Sequence, residues 1–282
     1  MQRSKLGPVY IFIAAVLWSL GGLGTKFIPW HPLSIAAVRG TSAVSILLFM
    51  KRGEKIRFTR STVLTALCMF LTTVLFMFSN KMTTAANAIV LQYLAPVYVL
   101  IGVMIVQKKR PKGLDILTIG LTFIGILLFF VDHMGSGKLL GDSLSILSGL
   151  TFAGVFFLSD MPDANPHDAS VIGCGLSILL LPVLFFDPVV RTSGAIPWVT
   201  VIALGVVQLG MGYYFFGKGI VSTGPIPAAI ISIVEPILNP IWVFLFLDER
   251  PGTLSILGAC IVMITISFYN IFPQVAARKK AN

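Results

Sequence analysis

The sequence predicts an all-α integral membrane protein: ten transmembrane helices in two inverted five-helix repeats. Three observations predict it. Apolar runs of about twenty residues recur along the whole chain. Lys and Arg gather in alternate connections between those runs. A pattern of prolines and a basic turn repeats at a shift of 140 positions.

Composition excludes a water-soluble fold. Of 282 residues, 56% are hydrophobic and only 11% charged, against roughly 25% charged in soluble domains. The mean hydropathy of +0.92 exceeds what a water-facing surface tolerates. The net charge of +10 does not point to nucleic acid. The basic residues form short clusters between apolar runs, where the positive-inside rule places them. No nucleic-acid partner is therefore expected.

An apolar run of about 20 residues crosses the ~30 Å hydrocarbon core as a helix. A helix satisfies its own backbone groups, which lipid cannot do. The spans read as 8–28, 32–50, 60–79, 84–106, 114–131, 142–159, 169–187, 196–216, 225–246 and 252–272. The first run follows Arg3 and Lys5, as in a signal peptide. No small-residue cleavage site follows it, and it continues through Trp18 and Gly24, so it reads as a retained helix. With the N-terminus inside, the inner segments carry fifteen Lys and Arg and the outer ones five, with Arg39 inside span 2. Both termini are thus expected in the cytoplasm, with the chain multi-pass in the plasma membrane. The inner loop with Asp160, Asp163 and Asp168 carries no basic residue; acids contribute little to the rule, so it is neutral. Trp30 and Trp198, at the outer starts of spans 2 and 8, read as interfacial belt residues.

At a shift of 140, Pro96 falls on Pro236, Val103 on Val243 and Arg110-Pro111 on Arg250-Pro251. About nine identities accumulate in 35 positions without a gap. The halves, 1–135 and 136–282, hold five spans each. An odd number makes the second half enter the membrane from the opposite side. The matched turn agrees: Lys108-Lys109-Arg110 becomes Asp248-Glu249-Arg250, shedding positive charge. Inverted repeats of this kind hold substrate near the bilayer midplane.

A charged side chain at the bilayer centre costs about 3 kcal/mol on insertion scales, so it needs a partner or a wet cavity. Two stand out. Glu235 lies mid-span in Ile230-Ile-Ser-Ile-Val-Glu-Pro236. Ser232, Glu235 and Asn239 share one helix face that is too polar for lipid. Pro236 and Pro240 each free a backbone carbonyl one turn earlier. Glu235 is thus a candidate proton carrier or cation ligand, or a structural carboxylate tied to a neighbour. Arg39, in Ala36-Ala-Val-Arg-Gly40, could snorkel, pair with Glu235, Asp248 or Glu249, or clamp a substrate carboxylate. The matching face of span 4 carries Gln92, Ala95 and Val99, so Glu235 has no twin in the first half.

Softer candidates are Met69, Thr72 and Thr73 in span 3, Phe152, Phe156 and Phe157 in span 6, and Gln208, Met211, Tyr213, Tyr214 and Phe216 in span 8. Together they suit a substrate with an apolar part. The glycines of Trp18-Ser-Leu-Gly-Gly-Leu-Gly24 read as close helix packing or a hinge. Cys68, Cys174 and Cys260 lie in apolar segments without a CxxC or a nearby His, so neither a disulfide framework nor a metal site is expected. His31, His133 and His167 fall in loops, away from any nucleophile at a motif spacing. No P-loop, GxSxG, HExxH or GxGxxG occurs in context, so neither an enzyme nor a cofactor is expected.

Leu17-Trp18-Ser19 with Lys26, Arg39, Tyr93-Leu-Ala-Pro96, Glu235-Pro236 and Leu247-Asp-Glu-Arg250 follow one another in that order over the ten spans. With them the chain resembles the EamA type of the drug/metabolite transporter superfamily along nearly its whole length. It departs from the pattern at Lys108-Lys109-Arg110, which lacks the acidic residue that often precedes the Arg. The resemblance implies a ten-helix basket with alternating access, moving amino acids, nucleotide-related compounds or other metabolites, often outward. It implies cavity roles for Trp18, Thr72, Gln92, Phe156, Gln208, Tyr213, Ser232, Glu235 and Asn239. The expected function is export of a small amphiphilic metabolite such as an amino acid, with protons as a possible coupling ion and a monomer as the working unit. Alternatives are a cationic drug or toxin exporter built on Glu235, and a membrane protein that transports nothing. Impermeant labelling of single-cysteine variants at Lys109 and Glu249 is expected to modify them from opposite faces of the membrane; labelling from one face would remove the inverted arrangement.

Overall fold

Polar residues preceding a proline start three of the helices. His31, Asn165 and Asp187 each cap with a side-chain acceptor, and Pro32, Pro166 and Pro188 take the first helical position. That position needs no backbone N–H and favours proline's fixed φ. Thr59 and Thr84 cap two further helices by accepting from the N–H of Thr62 and Asn87.

The computed structural model describes residues 6–95, 97–98, 101–102, 113–132, 138–159, 161–223, 228, 231–232, 234–248 and 252–281; positions 115, 129–130, 221, 240, 266 and 270–281 are described by backbone alone. Every regular element among them is helical. The elements are α1 (Gly7–Lys26), α2 (Pro32–Lys51), α3 (Arg60–Met82), α4 (Ala85–Gln92), α5 (Gly113–Asp132) and α6 (Leu139–Ser159). There follow α7 (Pro166–Gly175), which continues as a 3-10 segment (Leu176–Phe185), and the short α8 (Pro188–Thr192). Next come α9 (Ala195–Ala203), a π-helical segment (Leu204–Met211) and α10 (Gly212–Thr223). Last are α11 (Val234–Leu247) and α12 (Thr253–Ala281).

Six helices among the described residues are long and apolar enough to cross a membrane, and three shorter stretches are comparably apolar: Ile116–Leu128, Val234–Leu247 and Thr253–Tyr269. The expected fourth span is interrupted. α4 ends at Gln92, and a turn follows at Tyr93 and Leu94. Pro96, Val103, Lys108-Lys109-Arg110, Pro111, Glu249, Arg250 and Pro251 lie outside the described residues, as do His133 and Asp160.

Burial runs opposite to that of a soluble protein. Phe49 and Phe186 are 77% and 84% exposed, whereas Ser19, Thr25, Asn80, Asn87, Ser145, Ser148 and Asn239 are wholly buried. In water such a surface would drive aggregation. In lipid it is the stable arrangement, because backbone and side-chain polar groups must find partners inside the protein. The helices pack as a bundle. α6 lies on α3 and α4, and α1 on α10, α11 and the π segment. α2 meets the π segment and the 3-10 segment, α3 meets α7, and α5 pairs with α12.

Both ends of the bundle are stitched across the two halves of the chain. At one end Lys51 forms an ion pair with the fully buried Asp168. Asp168 also accepts from the N–H of Arg57 at 3.0 Å, and Thr59 donates to the carbonyl of Asp163 at 2.7 Å. At the other end Asp187 accepts from the N–H of His31 at 2.9 Å and from Ser34 Oγ at 2.7 Å. A carboxylate there complements the N-terminus of α2. The belt expectation fails for Trp30. It is 2% exposed, donates to Ser193 Oγ at 2.7 Å and packs edge-on against Trp198 at 4.7 Å between ring centres. It is therefore part of the stitching and not an anchor in the headgroups.

Burial pushes the Asp187 carboxyl up, but donors from Ser34, His31, Val189 and Val190 outweigh it and hold the group below its usual range. The sign follows from linkage. A depressed carboxyl contributes stability that is complete above its unfolded value and lost as pH falls through the folded one. Asp187→Ala is expected to lower the melting temperature of the purified protein at neutral pH. The difference from the parent should shrink as the pH drops below the ordinary carboxylate range of about 4.

Candidate functional site

Six helices bring charge and aromatic surface to one point in the middle of the bundle. A cavity of about 50 Å³ is lined by Trp18 from α1, Arg39 from α2, and Thr72, Thr73 and Phe76 from α3. Gln92, Phe152, Gln208, Leu209, Tyr213 and Glu235 complete its wall. Arg39 and Glu235 are 4% and 7% exposed, so both charged side chains are withdrawn from lipid and from either aqueous face.

Arg39 is held in place without a carboxylate. Its Nε donates to Gln208 Oε1 at 3.1 Å, and one terminal nitrogen lies 3.3 Å from Met77 Sδ. Gln208 in turn donates from Nε2 to the carbonyl of Trp18 at 3.2 Å, which ties α1, α2 and the π segment together. Glu235 accepts from the Tyr93 hydroxyl at 2.8 Å. Among the described residues Arg39 and Glu235 form no ion pair, with each other or with a third group. The guanidinium therefore keeps donors for a ligand anion, and the carboxylate keeps acceptor sites for a ligand cation.

The π segment explains how Gln208 reaches this point. Gly205 and Gly210 are five positions apart, yet both press on α2. A Cβ at Gly205 would stand 2.4 Å from the carbonyl oxygen of Arg39, and one at Gly210 would stand 2.3 Å from a methyl of Ile46. Residues five apart share a face only where the backbone closes i→i+5 turns; on an α-helix they diverge. The wide turn thus keeps two glycines against α2 while Gln208 faces α1 and Arg39. The glycines of α1 do the same work from the other side. Gly21 leaves room for the Gln208 amide, at 2.9 Å from a notional Cβ, and Gly22 for Asn239, at 2.5 Å. α1 is unbroken through them, so they serve packing and not a hinge.

Nine of the residues singled out in the sequence meet at the cavity: Trp18, Arg39, Thr72, Thr73, Gln92, Phe152, Gln208, Tyr213 and Glu235. Of those given cavity roles by the resemblance, three lie outside its wall. Phe156 packs against Phe152 and Phe216 at ring-centre distances of 4.9 and 6.0 Å. Ser232 presents its carbonyl to Tyr93 at 2.9 Å. Asn239 is wholly buried against Gly22. The helical face shared by Ser232, Glu235 and Asn239 is internal, but only Glu235 reaches the cavity. Phe76 and Leu209 were missed because apolar residues carry no signal in an apolar chain. Tyr93 was noticed as part of a motif and not as the partner of Glu235. The freed carbonyl expected before Pro236 was the signal that could have found it.

The sequence profile of the EamA-like transporter family matches residues 5–131 and again residues 139–271. An uncharacterized transporter of Archaeoglobus fulgidus is 26% identical over 264 residues, covering 92% of this chain and 94% of its own. The uncharacterized transporter YwfM of Bacillus subtilis is 24% identical, with 97% and 96% covered. The uncharacterized inner membrane transporter YicL of Salmonella typhimurium is also 24% identical, with 93% and 96% covered. A solved crystal structure superposes with a TM-score of 0.63 at 17% identity, over 95% of this chain and 98% of that one, which shows a shared fold.

Gly205→Ala is expected to destabilise the purified protein by about 1–3 kcal/mol, because backbone and not a flexible side chain blocks the added methyl. Gly120→Ala, whose Cβ would meet nothing within 4 Å, should leave the melting temperature unchanged or slightly raised.

Proposed function

The chain belongs to the EamA-like transporter family, and from that premise we propose that it is a secondary transporter exporting a small amphiphilic metabolite, best exemplified by an amino acid, by alternating access around the central cavity. The observation that carries this reading is a guanidinium and a carboxylate lining one buried cavity without a direct ion pair between them. Uncompensated buried charges cost several kcal/mol each. A zwitterion removes both costs at once. Its carboxylate meets the planar fork of Arg39, which suits that geometry, and its ammonium meets Glu235. Trp18, Phe76, Phe152, Leu209 and Tyr213 offer the apolar wall for its side chain. A simple cation is a poorer fit, because Arg39 would repel it from the same space.

The repeat supports alternating access. The profile matches twice in succession, at positions close to the halves 1–135 and 136–282. The packing also maps onto itself when the first five spans exchange with the last five. α3 on α6 corresponds to α10 on α1, α1 on α11 to α6 on α4, and α2 on the π segment to α7 on α3, while α5 with α12 maps to itself. Two such halves enclose one complete pathway, so a monomer in the plasma membrane with both termini in the cytoplasm suffices. A ligand pocket typically spans about 300–1,000 Å³, so the cavity of about 50 Å³ is a contracted state. Opening it requires releasing either the Lys51–Asp168 end or the Asp187–His31 end. Glu235 can exchange a substrate ammonium for a proton, which makes proton antiport the coupling.

A thermal-shift screen on detergent-purified protein tests this, since a bound ligand raises apparent stability. Some amino acid with an apolar or aromatic side chain should raise the melting temperature. Its decarboxylated amine and its deaminated acid should not. Arg39→Gln should weaken binding at least tenfold, a loss of about 1.4 kcal/mol or more. Stabilisation by cationic dyes alone, with Arg39→Gln unaffected, would overturn the amino-acid reading in favour of a cation exporter.

A further inference from the structure

The Tyr93 hydroxyl stands 2.8 Å from Glu235 Oε2 and 2.9 Å from the carbonyl oxygen of Ser232. Both are acceptors when Glu235 is ionised, and a phenol has one proton to give. The two acceptors are not equivalent. The carboxylate draws the stronger, charge-assisted bond. The Ser232 carbonyl would ordinarily receive the N–H of residue 236, and that residue is proline, which has none. Ser232 is 2% exposed inside the bundle, which shields that carbonyl from bulk solvent. With Glu235 ionised, one acceptor is left short.

Adding a proton to Glu235 completes the chain. The carboxylic acid then donates to the Tyr93 oxygen, and the Tyr93 hydroxyl donates to the Ser232 carbonyl. Tyr93 keeps its own proton in both states; the added proton comes from water reaching the open cavity and returns to water when Glu235 ionises. Protonation thereby ties the turn after α4 to the Ser232 carbonyl that Pro236 leaves open before α11, and deprotonation loosens that tie. We propose that Tyr93 is a positioning residue that reads the protonation state of Glu235 and passes it to the first turn of α11, where Pro236 leaves the Ser232 carbonyl without its N–H, so that proton exchange changes the packing of α11 against α4. This rests on Glu235 being the proton site of the transporter described above.

Among the described residues, the other titratable groups around Glu235 are few. α2 presents Arg39 and α10 presents Tyr213, both on the cavity wall. α1 contributes Trp18 there; its Tyr10 stacks on Phe215, and its Lys26 donates to the carbonyl of Thr83 at 2.9 Å. α4 itself contributes Gln92, which does not titrate.

Hydrogen–deuterium exchange of the purified full chain, read across pH and expressed as protection over the intrinsic rate, tests the link without a substrate. The amides of Val234, Glu235, Ile237 and Leu238 report the first turn of α11, and those of α5 serve as the control. In the parent protein, protection of that turn should rise several-fold as Glu235 takes up its proton. Glu235→Gln carries an NH2 donor where the protonated acid has its hydroxyl, and it should be protected at every pH. Tyr93→Phe keeps the ring against Phe152, 6.2 Å away between centres, and removes only the relay; it should be poorly protected at every pH. A Tyr93→Phe protein with the parent's pH response overturns the proposal, even where Glu235→Gln abolishes export. If Tyr93→Phe also loses protection in α5, it is unfolded, and the Glu235→Gln arm decides: low protection there overturns the link. Failure to find any exported compound would count against the transport reading alone, because this measurement uses none.

Discussion

Lipid supplies no hydrogen bonds, and that constraint orders the whole molecule. A buried polar group can be answered only by another part of the chain. Among the described residues the side chains of Asn80 and Asn239 go unanswered, but the buried acids and the proline-freed carbonyl do not. The wholly buried Asp168 is met by Lys51 and by the N–H of Arg57. Asp187 is met by the N-terminus of α2. The carbonyl stranded by Pro236 is met by Tyr93. These answers come from the other half of the chain in each case. The polar groups that would be a liability inside each half alone are therefore what holds the two halves together.

Among the buried charged groups, the two at the central cavity stand apart. Arg39 is gripped by Gln208 and the sulfur of Met77, neither of which cancels its charge. Among the described residues Glu235 has a phenol and no cation within ion-pair distance. A bundle that satisfies its other buried carboxylates so directly, yet leaves these two groups facing the same space, has charge available for something that is not part of the chain. That is the physical basis for reading the cavity as a binding site, and it does not depend on the cavity's present volume.

The backbone around the cavity departs from regular α-helix where the site needs it. Eight residues of π-helix set Gln208 on Arg39 while two glycines stay flush against α2. A turn at Tyr93 and Leu94 ends α4 as it reaches Glu235. A proline stands beside Glu235 itself. π turns are often found at functional sites because they re-aim side chains without moving the flanking helices. Here each irregularity presents one polar group to the centre.

The amino-acid sequence by itself determined that this chain lives in a membrane, roughly where its apolar runs begin and end, and that Glu235 and Arg39 could not face lipid. Those conclusions rest on free energies of transfer, which belong to each residue and add along the chain. Only the tertiary structure decided that Phe156, Ser232 and Asn239 stand behind the cavity wall, that Trp30 is buried in a stitch between halves, and that Gln208 and Tyr93 hold the two charges. Those outcomes depend on how far each helix is rotated about its axis and how closely two backbones approach. Rotation and approach are set by contacts between distant segments, such as Gly205 on Arg39 and Gly22 on Asn239, which no local pattern encodes.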